Sequence, residues 1–155
     1  MRWIALLLVG LLSALPAAAQ TQWAVAFGPP SASEGPKFGY VLEGDALFST
    51  LFAYYLEGTR KVVVLADVGE HPPNDRESSF TLAVNGEPPI TVSGIAEPSL
   101  MDGRYWLKAA LDLEHPLFKL LSKGQPMTYI AGSTRVSLSA SNLTATLLRW
   151  RNACR

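Results

Sequence analysis

A chain of 155 residues that is 48% hydrophobic and only 17% charged holds apolar material for one compact core, and is too short for two ordinary domains with a linker. Thirteen Lys and Arg balance thirteen Asp and Glu, which excludes a strong field for drawing in nucleic acid or an acidic membrane surface. No Gly-x-Ser-x-Gly elbow and no phosphate-cradling Gly-rich loop occurs, so hydrolase and nucleotide-binding signatures are missing as well.

The first 19 residues read as an export signal. Met1-Arg2 is a short basic start, Trp3 to Leu15 is apolar, and Leu15-Pro16-Ala17-Ala18-Ala19 ends in the small residues a signal peptidase reads. The apolar run falls short of the roughly 20 residues a spanning helix needs, and no later segment approaches that length. Residues 20–155 are therefore expected to be a periplasmic or secreted β-rich domain with no integral membrane segment after cleavage. Removing residues 1–19, with Arg2 as their one charge, leaves a net charge of about −1.

Beyond that point, Trp23, Val25 and Phe27 alternate as in a first strand, and residues 28–36, rich in Gly, Pro and Ser, form a loop. Phe38, Tyr40 and Leu42 restore period two, and Glu43-Gly44-Asp45 turns the chain. Leu47 to Leu56 suits a buried strand or a short helix, and we take it as a strand. Lys61 to Leu65, β-branched after the turn Glu57-Gly58-Thr59, is its return arm. A polar loop follows at 69–76. Phe80, Leu82 and Val84 then pair through Asn85-Gly86 with Ile90 and Val92, Pro88 and Pro89 lengthening the connection. Tyr105, Leu107, Ala109 and Leu111 mark another strand.

His115-Pro116 opens a two-turn helix that Gly124 stops, with Leu117, Leu120 and Leu121 on one side. Met127 to Ile130 and Arg135 to Leu138 flank Gly132-Ser133 as two short strands. Ser141 or Asn142 can cap a final helix in which Leu143, Leu147, Trp150 and Cys154 recur at helical spacing. The fold class expected is mainly β: a single-domain sandwich or barrel of about eight strands, with a short internal helix and a C-terminal helix covering an open edge or end.

Candidate chemistry is sparse. Glu70-His71-Pro72 and Glu114-His115-Pro116 repeat a carboxylate–imidazole pairing, which could hold zinc or serve acid/base steps if the two segments met. The histidines lack the short fixed spacing of metal motifs, and each sits before a proline where a solvated or capping ring is ordinary. Cys154 is the one cysteine, so no internal disulfide can form; it is buried in the last helix, bridges two copies in a dimer, or stays reactive, and burial is favoured. Arg149, Trp150, Arg151 and Arg155 mix charge with an aromatic ring, yet one basic helix tip is not a nucleic-acid face. Asn142-Leu143-Thr144 fits a glycosylation acceptor and, at a helix start, a cap. No residue is assigned as catalytic, cofactor-binding or metal-ligating, and no cofactor is expected; His71, His115 and Cys154 are the residues to watch.

The order of several features carries a resemblance: the hairpin around Lys61 to Leu65, Met101-Asp102-Gly103 before a strand, His115-Pro116-Leu117 opening a short helix, and a last helix ending Asn152-Ala153-Cys154. Across most of residues 37–155 the chain resembles small, mostly uncharacterised secreted proteins of alphaproteobacteria, some of them loosely similar to the invasion-associated locus B proteins. The resemblance implies an envelope location, with no activity and no site residues to carry over. Such proteins usually have an earlier cysteine as a partner for the terminal one, and here Cys154 stands alone.

Two functions are expected from this. The first is a non-enzymatic exported β domain that binds a protein or envelope component through an exposed strand edge or the loops at 28–36 and 69–79. The second is a small metal-dependent hydrolase centred on His71 and His115.

Overall fold

The computed structural model describes residues 21–26, 34–42, 48–69, 76–99 and 103–154. The chain is mainly β: the described residues form nine antiparallel strands in one sheet curled into a half-barrel, and two short helices. In chain order the elements are β1 Thr21–Ala26, β2 Glu34–Leu42, β3 Phe48–Leu56, β4 Lys61–Gly69, β5 Glu77–Val84, β6 Ile90–Pro98, β7 Tyr105–Asp112, α1 Pro116–Leu121, β8 Met127–Ala131, β9 Thr134–Leu138 and α2 Leu143–Ala153. The strand order is β1-β2-β3-β4-β7-β6-β5-β8-β9.

Period-two burial sets the inner face. Val62, Val64, Ala66 and Val68 of β4 point inward, as do Ala53 of β3 and Leu107 and Ala109 of β7, with Ala53, Val64 and Ala109 paired side by side. The segment Leu47 to Leu56 is resolved by pairing: Leu51 to Tyr55 form ladder partners with Val62 to Ala66, which makes the second half of that ambiguous run a strand. The loop expected at 28–36 gives way earlier than the composition suggests. Glu34, Gly35 and Pro36 already belong to β2, and Pro36 falls where the β2–β3 register shifts, a bulge that needs no N–H from a proline. Phe27 and the rest of that loop lie outside the described residues, as do Glu43 to Leu47.

One strand turns the corner of the sheet. Residues 90–95 of β6 pair with β5, whereas residues 95–98 pair with β7, so β6 belongs to two differently directed halves. Gly94 stands at the bend. A β-carbon built there would collide with the carbonyl oxygen of Lys108, so the close backbone approach admits no side chain. Of the two architectures expected from the sequence, the described residues form the barrel-like one: a single continuous sheet curled into a half-barrel.

The far seam of the half-barrel is held by side chains. Ser139, just past β9, donates its N–H to the Tyr40 hydroxyl (3.0 Å), and its carbonyl accepts from the Trp23 ring (2.7 Å). The Asn142 carboxamide accepts from the Trp23 N–H (3.1 Å) and donates to the Trp23 carbonyl (2.8 Å), serving edge strand β1 as a strand neighbour would. The expected side-chain cap on α2 is therefore absent: Asn142 adopts φ 53° and makes no capping bond, its amide being committed to β1.

Rings tie the helices to this seam. Trp23 stacks on Phe38 at 5.0 Å between centroids, Phe38 meets Trp150 of α2 at 5.5 Å, and Trp150 meets Phe118 of α1 at 5.6 Å. Each such pair contributes about 0.5–1.5 kcal/mol beyond the area it buries. The Trp150 ring N–H donates to the Pro36 carbonyl at 2.8 Å, so its one polar atom is satisfied inside the core. Leu143, Leu147 and Trp150 are buried, as the helical spacing predicts.

Candidate functional site

His115 precedes α1 because its extended backbone (φ −57°, ψ 143°) leads into Pro116 at the first helical position. Its Nδ1 accepts the N–H of Leu117 at 3.1 Å, the bond an N-cap Ser or Asp would make, so that nitrogen is engaged in structure. Neighbouring Glu114 pairs with Arg151 of α2 at 3.2 Å, and Asp112 with Lys61 at 2.8 Å; this hydrogen-bonded ammonium holds the Asp112 carboxyl below the usual carboxylate range. The carboxylates around His115 are thus in ion pairs. His71 lies outside the described residues, and among the described ones no group of three His, Cys, Asp or Glu side chains gathers as a metal centre would require.

Cys154 ends α2 with its side chain buried, 8% exposed. Loss of water around it pushes the thiol up to about 12, with Arg151 pulling only partly the other way. A thiol that stays protonated and covered is neither a good nucleophile nor a ready disulfide partner, which favours the buried role over the bridging one.

The feature that sequence reasoning missed lies at the opposite end of the sheet. Antiparallel pairing gathers there the C-terminal ends of β4, β6 and β8 and the N-terminal ends of β5, β7 and β9, whereas α1 connects β7 to β8 at the other end. These strand ends surround an open cup of about 1140 Å³. Its wall carries the hydroxyls of Ser78, Ser79, Ser93, Ser133 and Thr134. Ser79 and Ser93 are direct cross-strand partners on β5 and β6. The rim adds the bare backbones of Gly69 and of Gly132 in the β8–β9 turn, and apolar atoms come chiefly from Val68, Ile95 and Ala131.

Asp67 holds the one cationic residue of the described lining. Its carboxylate meets the Arg104 guanidinium at 2.6 Å and accepts the N–H of Gly69 at 2.9 Å. Its carbonyl accepts the hydroxyl of Tyr129, which crosses the interior from β8. Tyr129 is fully buried, and burial together with the nearby Asp67 charge raises its phenol well above the ordinary range, so the hydroxyl stays a donor. The cup's fixed charges nearly cancel: Arg104 against Asp67, with Glu77 left over on the wall. The sequence signal for this site was the Ser-Ser and Gly-Ser-Thr placement at strand ends, which one-dimensional spacing scatters over residues 68–134.

No protein-family model, curated protein or solved structure matches the chain. The resemblance drawn from its motifs therefore rests on those residues alone, and the cup has to be interpreted from its own chemistry.

Proposed function

We propose that the protein is a non-enzymatic, exported β domain of the periplasm or cell exterior that binds a protein or envelope component at the open cup. One observation carries this reading: a wide cavity walled by hydroxyls and bare backbone, whose one lining cation among the described residues, Arg104, is held by the Asp67 carboxylate. Such a surface offers many weak, directional hydrogen bonds and a shape, which suits recognition. A hydrolase at His71 and His115 has less support, since His115 spends Nδ1 on the helix start and its neighbouring carboxylates are in ion pairs. Export is supported by the basic, apolar and small-residue order of residues 1–19. No helix among the described residues is long and apolar enough to cross a membrane.

The test is photo-cross-linking in the producing cell. A benzophenone amino acid replaces exposed Ser133 on the cup rim or, as a control, exposed Glu57 at the β3–β4 turn. A discrete adduct from position 133 that position 57 does not give is the expected outcome. Identical patterns from both positions, or none from either, would remove the cup as the binding site.

A further inference from the structure

Resting on the cup as the binding site, we infer that its ligand is a neutral, hydroxyl-rich glycan segment. Three properties of the wall point there. The side chains that dominate it are hydroxyls, each able to donate and to accept, and that dual capacity matches a ligand whose own groups are hydroxyls and amides in no fixed orientation. The described wall carries little net charge: Arg104 is held 2.6 Å from Asp67, and Glu77 disfavours anions. An acidic ligand would meet a guanidinium already held by a carboxylate, and a cationic one would find one exposed carboxylate among the described lining residues. The lining also mixes apolar surface from Val68, Ile95 and Ala131 in among the hydroxyls, which matches a sugar's interleaved C–H and O–H groups.

A peptide is the main competitor, and the geometry disfavours it. Peptides that add to β domains pair with a free strand edge through main-chain bonds. The cup is instead walled by strand ends, a turn and the β6 corner; of the two edge strands, β9 contributes only Thr134 to the described lining and β1 contributes nothing. The described lining holds no aromatic ring on which a sugar could stack. Affinity then comes from hydrogen bonds exchanged with water, each of small net worth, and the complex is weak and fast-exchanging.

Amide spectra of the ¹⁵N-labelled protein provide the test, with N-acetylchitotetraose, a neutral ten-residue Ala-Ser-Gly peptide and an oligogalacturonate as separate probes. The expected result is millimolar-range, fast-exchange shifts from the chitotetraose at residues 69, 77–79, 93–95 and 131–134. They should weaken about tenfold in the double variant Ser79→Ala, Ser93→Ala and remain in Ser137→Ala, which lies on β9 away from the cup. Both variants change exposed side chains, so unaltered amides elsewhere report an intact fold. If the peptide or the polyanion shifts the cup and the chitotetraose does not, the glycan assignment fails while the cup remains a binding site. If no probe shifts it, the glycan assignment fails; if the rim cross-link is also absent, the cup itself fails with it.

Discussion

His115 shows how one ring is recruited by its backbone neighbours. Proline at the next position fixes an extended entry and removes one N–H, which leaves the Leu117 N–H as the donor the ring nitrogen can reach. His115→Ala is expected to lower stability by about 1 kcal/mol and His115→Asn to restore most of it, measured by urea unfolding. A catalytic or metal-binding role would give no such rescue. Cys154 makes a second residue-level prediction. Burial pushes its thiol up to about 12, well above the ordinary thiol value near 9, so folded and unfolded chains bind protons alike below pH 9. Above it the unfolded chain releases the proton first, and stability falls as pH rises from 9 towards 12; Cys154→Ala should remove the part of this loss that sets in between pH 9 and 10, below the range where the buried Tyr129 phenol adds its own. Thiol reagents should likewise label Cys154 slowly in the native protein and fast in denaturant.

At the scale of elements, β1 is the informative strand. It is only six residues long, and on its outer side the backbone of Trp23 is satisfied by one carboxamide rather than by a neighbouring strand. Asn142→Ala leaves a half-buried N–H and carbonyl without these partners and should cost about 1–3 kcal/mol, with faster hydrogen exchange at the Trp23 amide than elsewhere in the sheet. Asn142→Asp keeps the acceptor and loses the donor, and should fall between. The same bonds answer the acceptor pattern Asn142-Leu143-Thr144: a glycan would replace one of the two hydrogens on this amide nitrogen and set a sugar against the seam it closes. That the residue would be structural was legible from its place before a helical stripe. That it would serve β1 was not, because its partner is 119 residues away.

For the molecule as a whole, the β6 corner decides the shape. The two halves of the sheet meet where Gly94 lets the Lys108 carbonyl approach, and that bend opens the cup on one side. Gly94→Ala should force the ladders apart and cost more than about 2 kcal/mol, seen in chemical denaturation as a lower midpoint with an unchanged slope. The cup amides should shift together in its spectrum, whereas those of α1 at the other end should move little. Because the network of Asp67, Arg104 and Tyr129 joins β4, the start of β7 and β8, a defect at the corner is expected to reach the binding surface through Arg104.

By itself the sequence determined that the chain is mainly β, where most strands and both helices lie, and that Trp150 and Cys154 turn inward. Those properties follow from local periodicity and from the affinity of apolar side chains for one another, which need no knowledge of partners. Only the tertiary structure decided which strands neighbour one another, that β7 enters between β4 and β6, that an asparagine closes the seam, and that scattered serines converge on one cup. Strand pairing joins residues far apart in the chain through backbone groups common to every residue, so neighbours across a sheet leave little mark on the order of side chains.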